Sequence, residues 1–474
     1  MNTECTATQL EFQSFGRRRV TGRFDGGRLT PDGGGLLLRE VEQRLDLFSR
    51  LAGCVTDHRH AGKVEHPVES LLAQRIYGLA LGYEDINDHD TLRGDSLLAL
   101  LVGKADLTGE SRRRARDRGY PLAGSSTLNR LELGVPEQAP SHRYQKVVAD
   151  SEELDRLLVD VFLESHRGAP SVLWLDLDAT DDLLHGHQEG RFFHGYYQSY
   201  CYLPLYIFCG EHLLCARLRP ADEDAAAGSV EEMSRIVEQV RQRWPEVQII
   251  VRGDSGFCRD ELMAWCEANG VDYLLGLEKN TRLETRIAKA LRKSHRRHLQ
   301  TQRASRRFRE FRYRTRKSWS RTRRVVAKAE HLAKGANPRF VVTSLDKETA
   351  GAQVLYEDLY CVRGEMENRI KEQQLDLFAD RTSTATLRAN QLRLYLSSFA
   401  YLLMHGLRRL GLAGTRWARA QCGTIRTRIL KLAAAVRITA RRVWLAFASG
   451  YPHQATFAAV LKQLRDGPVR APPG

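Results

Sequence analysis

Residues 171–182 read SVLWLDLDATDD, and the fold is read outward from them. An apolar, β-prone run closes on a cluster of aspartates, as a buried strand does when it carries carboxylates to an open end. Residues 247–257, VQIIVRGDSGF, repeat the arrangement, with Asp254 set between Gly253 and Gly256. Two further strand patterns occupy 200–209 and 212–218, and another lies at 271–277. Helical periodicity marks 225–244 and 259–269, the latter closed by Gly270. Three strands, a helix, a strand, a helix and a strand, in that order, predict an α/β domain built on a mixed sheet.

In open sheets, ligands gather where strands end and rigid backbone meets solvent. Asp178 and Asp254 both stand at such ends, followed by turn-like residues. Either aspartate alone would read as a turn residue or helix cap. Asp176 lies on the same side of its strand as Asp178, and Asp178 is the candidate nearer the end. Around Asp254 the glycines permit close backbone approach to a ligand, and Arg252 adds positive charge. A third acid, Glu367, lies in 360–374 (YCVRGEMENRIKEQQ). There Tyr360, Arg363, Glu367, Lys371 and Gln374 step by three or four and share one helical face. Such a stripe is commonly a solvated surface, but this one sets a cation one turn either side of an acid. Three carboxylates from separate elements can hold two divalent ions about 3.5–4 Å apart, the arrangement that cleaves phosphodiesters.

The chain has 474 residues and a formal net charge of +15. That length allows two or three domains, and the cationic excess favours a polyanionic partner. No apolar run approaches the roughly 20 residues that span a bilayer, and residues 1–19 lack the apolar core of a secretory signal. A cytoplasmic, nucleoid-associated protein with no membrane partner is expected. The nine cysteines are scattered without a CxxC pair, which argues against a zinc ribbon or disulfide framework. Residues 1–35 read as a basic N-terminal arm around Arg17, Arg18 and Arg19, and 36–165 as a helical region. Residues 170–280 and 346–380 carry the α/β domain. From 281 to about 328 arginine and lysine dominate, interleaved with Phe308, Phe311, Tyr313 and Trp319, and 339–345 returns to a strand pattern. The alternation at 308–317 suits strands with one cationic face, so 281–345 is expected to be a basic β-rich insertion. Residues 381–474 read as basic and helical, 437–447 (RITARRVWLAF) included.

Together these motifs resemble the DDE transposases of bacterial insertion sequences. Asp178-Ala179-Thr180 matches that family's Asp-x-Thr at a strand end, and residues 252–257 match its Arg-Gly-Asp-Ser-Gly-Phe context. Tyr360, Arg363 and Glu367 stand in register with the Tyr-x2-Arg-x3-Glu-x6-Lys signature of one branch. Its last position is Gln374, with Lys371 one turn earlier as the alternative cation. The resemblance implies a ribonuclease H-like catalytic core with a mixed sheet, interrupted by the basic insertion and flanked by helical N- and C-terminal regions. It implies a catalytic and metal-binding triad of Asp178, Asp254 and Glu367, holding two Mg²⁺ or Mn²⁺ ions. The implied activity cuts the ends of an element and joins the freed 3′-hydroxyls to target DNA, with no covalent protein intermediate. Tyr360, Arg363, Lys371 and Arg252 become expected DNA contacts, and Trp319 a candidate for stacking on a flipped base. The partners implied are double-stranded DNA, as terminal inverted repeats and as target, and a dimer on DNA. Recognition of the repeats is expected in the N-terminal helical region, where 125–133 (SSTLNRLEL) lies.

Two rivals share most of these features: a metal-dependent ribonuclease H-like nuclease that cuts without joining, and a non-catalytic DNA-binding relative. Two-carboxylate glycoside hydrolysis leaves the +15 charge without a purpose. His185, His187, His194 and Glu189 follow Asp178 and invite a zinc reading, but lack partner cysteines.

Overall fold

The pattern at 171–182 forms the strand β1 (Val172–Ala179), near the middle of a nine-stranded mixed sheet. The computed structural model describes residues 9–134 and 146–466. The chain divides into two units, residues 149–402 and residues 1–148 with 403–474. In the first unit, β1 pairs antiparallel with β2 (Leu205–Cys209), which turns back into β3 (His212–Arg217). On its other side β1 runs parallel to β4 (Gln248–Gly253), and β4 parallel to β5 (Asp272–Leu277). The order β3-β2-β1-β4-β5, with β1, β4 and β5 parallel and β2 reversed, is a ribonuclease H-like core.

Alternation along β1 sorts its side chains. Leu173, Leu175 and Leu177 enter the larger core, with α1 (Ser151–Glu164), α2 (Ser229–Arg243) and α3 (Asp260–Ala268) supplying Phe162, Ile236 and Met263. Trp174 packs instead into a second core, formed by Ile250, Leu274, Leu355 and Tyr356 on the other face of the sheet. Since side chains on a strand alternate, Asp176 and Asp178 fall on that second face, with Trp174. It is covered by a helical run at 352–376, in which α-helix alternates with tighter and wider turns.

The basic segment 281–345 differs from its expected form in two ways. It opens with a 21-residue helix, α4 (Thr281–Thr301), capped by the Asn280 side chain accepting from Leu283 N. Its buried residues, Leu283, Ile287, Ala290 and Ser294, recur every three or four positions among the cations, a helical period hidden by the charge. Its strands β6 (Ser305–Tyr313), β7 (Arg323–Leu332) and β8 (Arg339–Thr343) also make no separate layer. They extend the core sheet from β5 in the order β8-β7-β6.

The second unit contains helices such as Gly35–Leu45, Val68–Leu81 and Ser125–Glu132. Residues 10–22, within the expected arm, form a hairpin of strands Leu10–Phe15 and Arg18–Gly22. Residues 437–447, read as helical, belong to a second hairpin, Ala434–Ile438 with Val443–Phe447. Their apolar positions Val436, Ile438, Val443, Leu445 and Phe447 repeat every two residues within each arm, which is the strand period. Among the described residues the cysteines are all free, and no helix is long and apolar enough to cross a membrane.

Candidate active site

Neighbouring elements deliver the three acids. Asp178 is the penultimate residue of β1. Parallel pairing sets Gly253 opposite Leu177, so Asp254, one residue past β4, emerges beside Asp178. There Asp254 turns the chain: its Oδ1 accepts from Gly256 N at 2.8 Å and caps the single turn Ser255–Phe257. Glu367 comes from α5 (Gly364–Lys371), with its side chain 51% exposed. Arg363, one turn earlier, joins two of the acids, its Nη1 3.2 Å from Asp178 Oδ2 and its Nη2 3.8 Å from Glu367 Oε1.

Burial pushes the Asp178 carboxyl up to about 6; Arg363 opposes the shift, while the charges of Asp254 and Glu367 add to it. Asp178 therefore feels both other acids, and Arg363 is the cation that offsets them. Among the described residues no three His, Cys, Asp or Glu side chains are grouped closely enough to hold a metal ion. The donor chemistry nevertheless fits a hard divalent cation, since Asp178, Asp254 and Glu367 all offer carboxylate oxygens and the charges of the latter two raise the Asp178 carboxyl, a repulsion that a cation between them would relieve. Among the described residues His185, His187 and His194 form no such group either.

Tyr360 reaches the same place. A Cβ on Gly276 of β5 would fall 2.6 Å from the Tyr360 hydroxyl and 2.9 Å from Ser255 N, so glycine there lets Tyr360 and the Asp254 turn approach each other. Burial raises the Tyr360 phenol, with Arg363 opposing and Asp254 adding to the shift. Nearby Tyr197 is pushed up to about 12 by burial, then by the charges of Asp181 and Asp178. Lys371 is exposed, one turn past Glu367. Gln374 turns inward, donating from Nε2 to Asp182 Oδ1 at 2.8 Å and to Asp181 O at 3.2 Å. Sequence reading passes over Asp182, whose only signal is its place in DLDATDD. It is wholly buried, and that burial pushes its carboxyl up to about 8.

Two expected DNA contacts are corrected. Arg252 is 7% exposed and its donors are turned inward. Nε and Nη2 grip both oxygens of Asp176 at 2.6 and 2.8 Å, while Nη1 donates to Leu359 O at 2.7 Å. The guanidinium also lies over Trp174, 4.8 Å from its ring centroid. Because β1 and β4 are in parallel register, Arg252 directly faces Asp176, and the pair ties both strands to the helical run above. Trp319 is 4% exposed, edge-on to Tyr313 at 5.7 Å, and lies within the larger core. Its ring has no face free for a base.

The family model described as "Transposase DDE domain group 1" matches residues 12–469 of the chain. No curated protein matches. Among solved structures a similar chain is found in one described as "Cryo-EM structure of piggyBac transposase synaptic complex with hairpin DNA (SNHP)". Its TM-score is 0.40 and its identity 12%, covering 83% of this chain and 78% of that one.

Proposed function

Since the chain belongs to the Transposase DDE domain group 1 family, we propose that it cuts the ends of a DNA element and joins them to target DNA, with Asp178, Asp254 and Glu367 as the catalytic acids. The observation that carries this reading is the meeting of Asp178 and Asp254 at the ends of adjacent parallel strands, with Glu367 close enough to raise the Asp178 carboxyl. Asp178, Asp254 and Glu367 would hold Mg²⁺ or Mn²⁺, which would supply the polarisation for water, and then a DNA 3′-hydroxyl, to attack phosphorus as the 3′ oxygen of the attacked strand leaves. The chain's own groups provide the rest. Arg363, now paired with Asp178 and Glu367, turns to a phosphate oxygen when the acids take another cation. Tyr360 and Lys371 hold the DNA backbone beside the cut. The exposed cations of the 281–345 segment add non-specific phosphate binding. Two element ends must be held together, so the working form is a dimer on DNA.

The test is incubation of a duplex bearing the element's own ends with Mg²⁺, followed by separation of cleaved and joined strands. Wild type yields both products, and Asp254→Asn yields neither while keeping its thermal midpoint. Cleavage by Asp254→Asn would overturn the assignment of the acids. Cleavage without joined product would favour the nuclease reading.

A further inference from the structure

Between β1 and β2 the chain makes an excursion that the proposed chemistry leaves unused. Its strands Phe192–His194 and Ser199–Tyr202 form a hairpin, and Cys201 and Tyr202 pair with Leu183 and Asp182 just past β1. Because Leu205 then pairs with Ala179, the hairpin springs from the same end of β1 that bears Asp178. Tyr197 in its turn lies within electrostatic reach of Asp178.

This hairpin exposes aromatic rings to solvent. Phe193 and Tyr200 are cross-strand partners with centroids 5.5 Å apart, exposed by 54% and 44%. The Arg191 guanidinium lies over the Tyr200 ring at 3.8 Å, and Tyr196 at the tip is 84% exposed. A cross-strand aromatic pair steadies a hairpin, and this one does so while leaving about half of each residue in water. Rings left in water beside a guanidinium fit a planar, π-faced, anionic ligand better than an apolar protein surface. Bases inside a duplex already have both faces covered, so the ring faces here suit unstacked ones.

We propose that Phe193, Tyr200 and Tyr196, with Arg191, form a platform on which unpaired bases of the DNA strand stack beside the acid site. The proposal rests on the reading of that site as a DNA-cutting centre and names which part of the substrate lies next to it.

The probe is a thymidine oligonucleotide of about 15 nucleotides carrying one 2-aminopurine, whose fluorescence is quenched by stacking, titrated with full-length Asp254→Asn protein. Phe193→Ala and Tyr200→Ala, each added to that background, are expected to weaken binding on the order of 10-fold and to relieve the quenching. Tyr200→Phe retains both, and affinity for blunt duplex stays unchanged. If a strand variant fails to fold, Tyr196→Ala at the exposed tip reports the same loss. Ring-deleting variants that fold, bind and quench like their parent would overturn the proposal. So would a change in sedimenting mass without a change in oligonucleotide affinity, which would make the patch a contact between copies. The readout needs no cleavage. If wild type cuts no DNA yet ring deletion costs single-strand binding, the platform stands and the cutting centre falls; normal cutting with normal ring-variant binding removes the platform alone.

Discussion

At Arg252 three hydrogen bonds to Asp176 and Leu359 hold two strands and the start of the Arg363 turn in one arrangement. Removing one member of a buried pair leaves the other charge uncompensated, at a cost of about 3–5 kcal/mol, whereas replacing both by apolar groups is often neutral. Arg252→Ala is therefore expected to lower the denaturation midpoint sharply in urea, and Arg252→Met with Asp176→Leu to recover most of it. Equal midpoints for the single and double variants would contradict this account. Asp182 gives a pH-dependent counterpart. Its folded carboxyl is raised to about 8, against about 4 in an unfolded chain. Its contribution is full below the unfolded value and is lost as pH rises through about 8, because folding keeps a proton that the unfolded chain releases. Wild type should thus melt at a lower temperature at pH 9 than at pH 6, and Asp182→Asn should show a smaller fall. An identical fall in both proteins would clear Asp182 of the effect. Alternation put Asp176 and Asp178 on one side of β1, but only the parallel register shows that Asp176 faces Arg252. No local pattern announces a partner 76 residues away.

Whole elements were legible where period and charge agreed. The strands β1, β3, β4 and β5 and the helices α2 and α3 stand where apolar spacing places them, whereas the run at 200–209 is split, Ser199–Tyr202 joining a separate small sheet and only Leu205–Cys209 forming β2. Where charge was heavy it masked the period: the buried stripe of α4 is narrow, and the hairpin at 434–447 carries Arg437 between Val436 and Ile438 and Arg441 and Arg442 in its turn. Trp319 is a different case, since its expected role in stacking on a base came from the family resemblance and not from any pattern in the residues around it. Instead Tyr313 and Trp319 turn inward against the larger core, and Arg323 lies 5.6 Å over the tryptophan ring. Truncation of a buried aromatic costs about 3–5 kcal/mol. Trp319→Ala should accordingly lower the thermal midpoint while leaving DNA affinity per folded molecule unchanged, and Trp319→Phe should be milder. A fall in affinity at full folding would return the residue to the DNA.

At the scale of the molecule, the +15 charge has little meaning until it is divided between cations used inside the fold and cations facing solvent. Arg252 and Arg324 are buried with carboxylate partners; such pairs cancel within the net charge, so the excess offered to a polyanion comes from cations elsewhere. The outer side of α4 is different: Lys289, Arg292 and Arg296 are exposed and spaced by three and four residues, which aligns them along one face. Each cation that neutralises a DNA phosphate releases counterions and steepens the fall of log affinity against log salt by about 0.9. If this face lies along DNA, the combined variant Lys289→Ala, Arg292→Ala, Arg296→Ala should reduce the slope by about 3. The loss should be the same for any duplex sequence, since phosphate contacts carry no base information. The measurement is fluorescence anisotropy of a labelled duplex titrated between low and moderate salt, for wild type and variant in parallel. An unchanged slope would show that DNA lies elsewhere; a loss confined to one sequence would show that α4 reads bases.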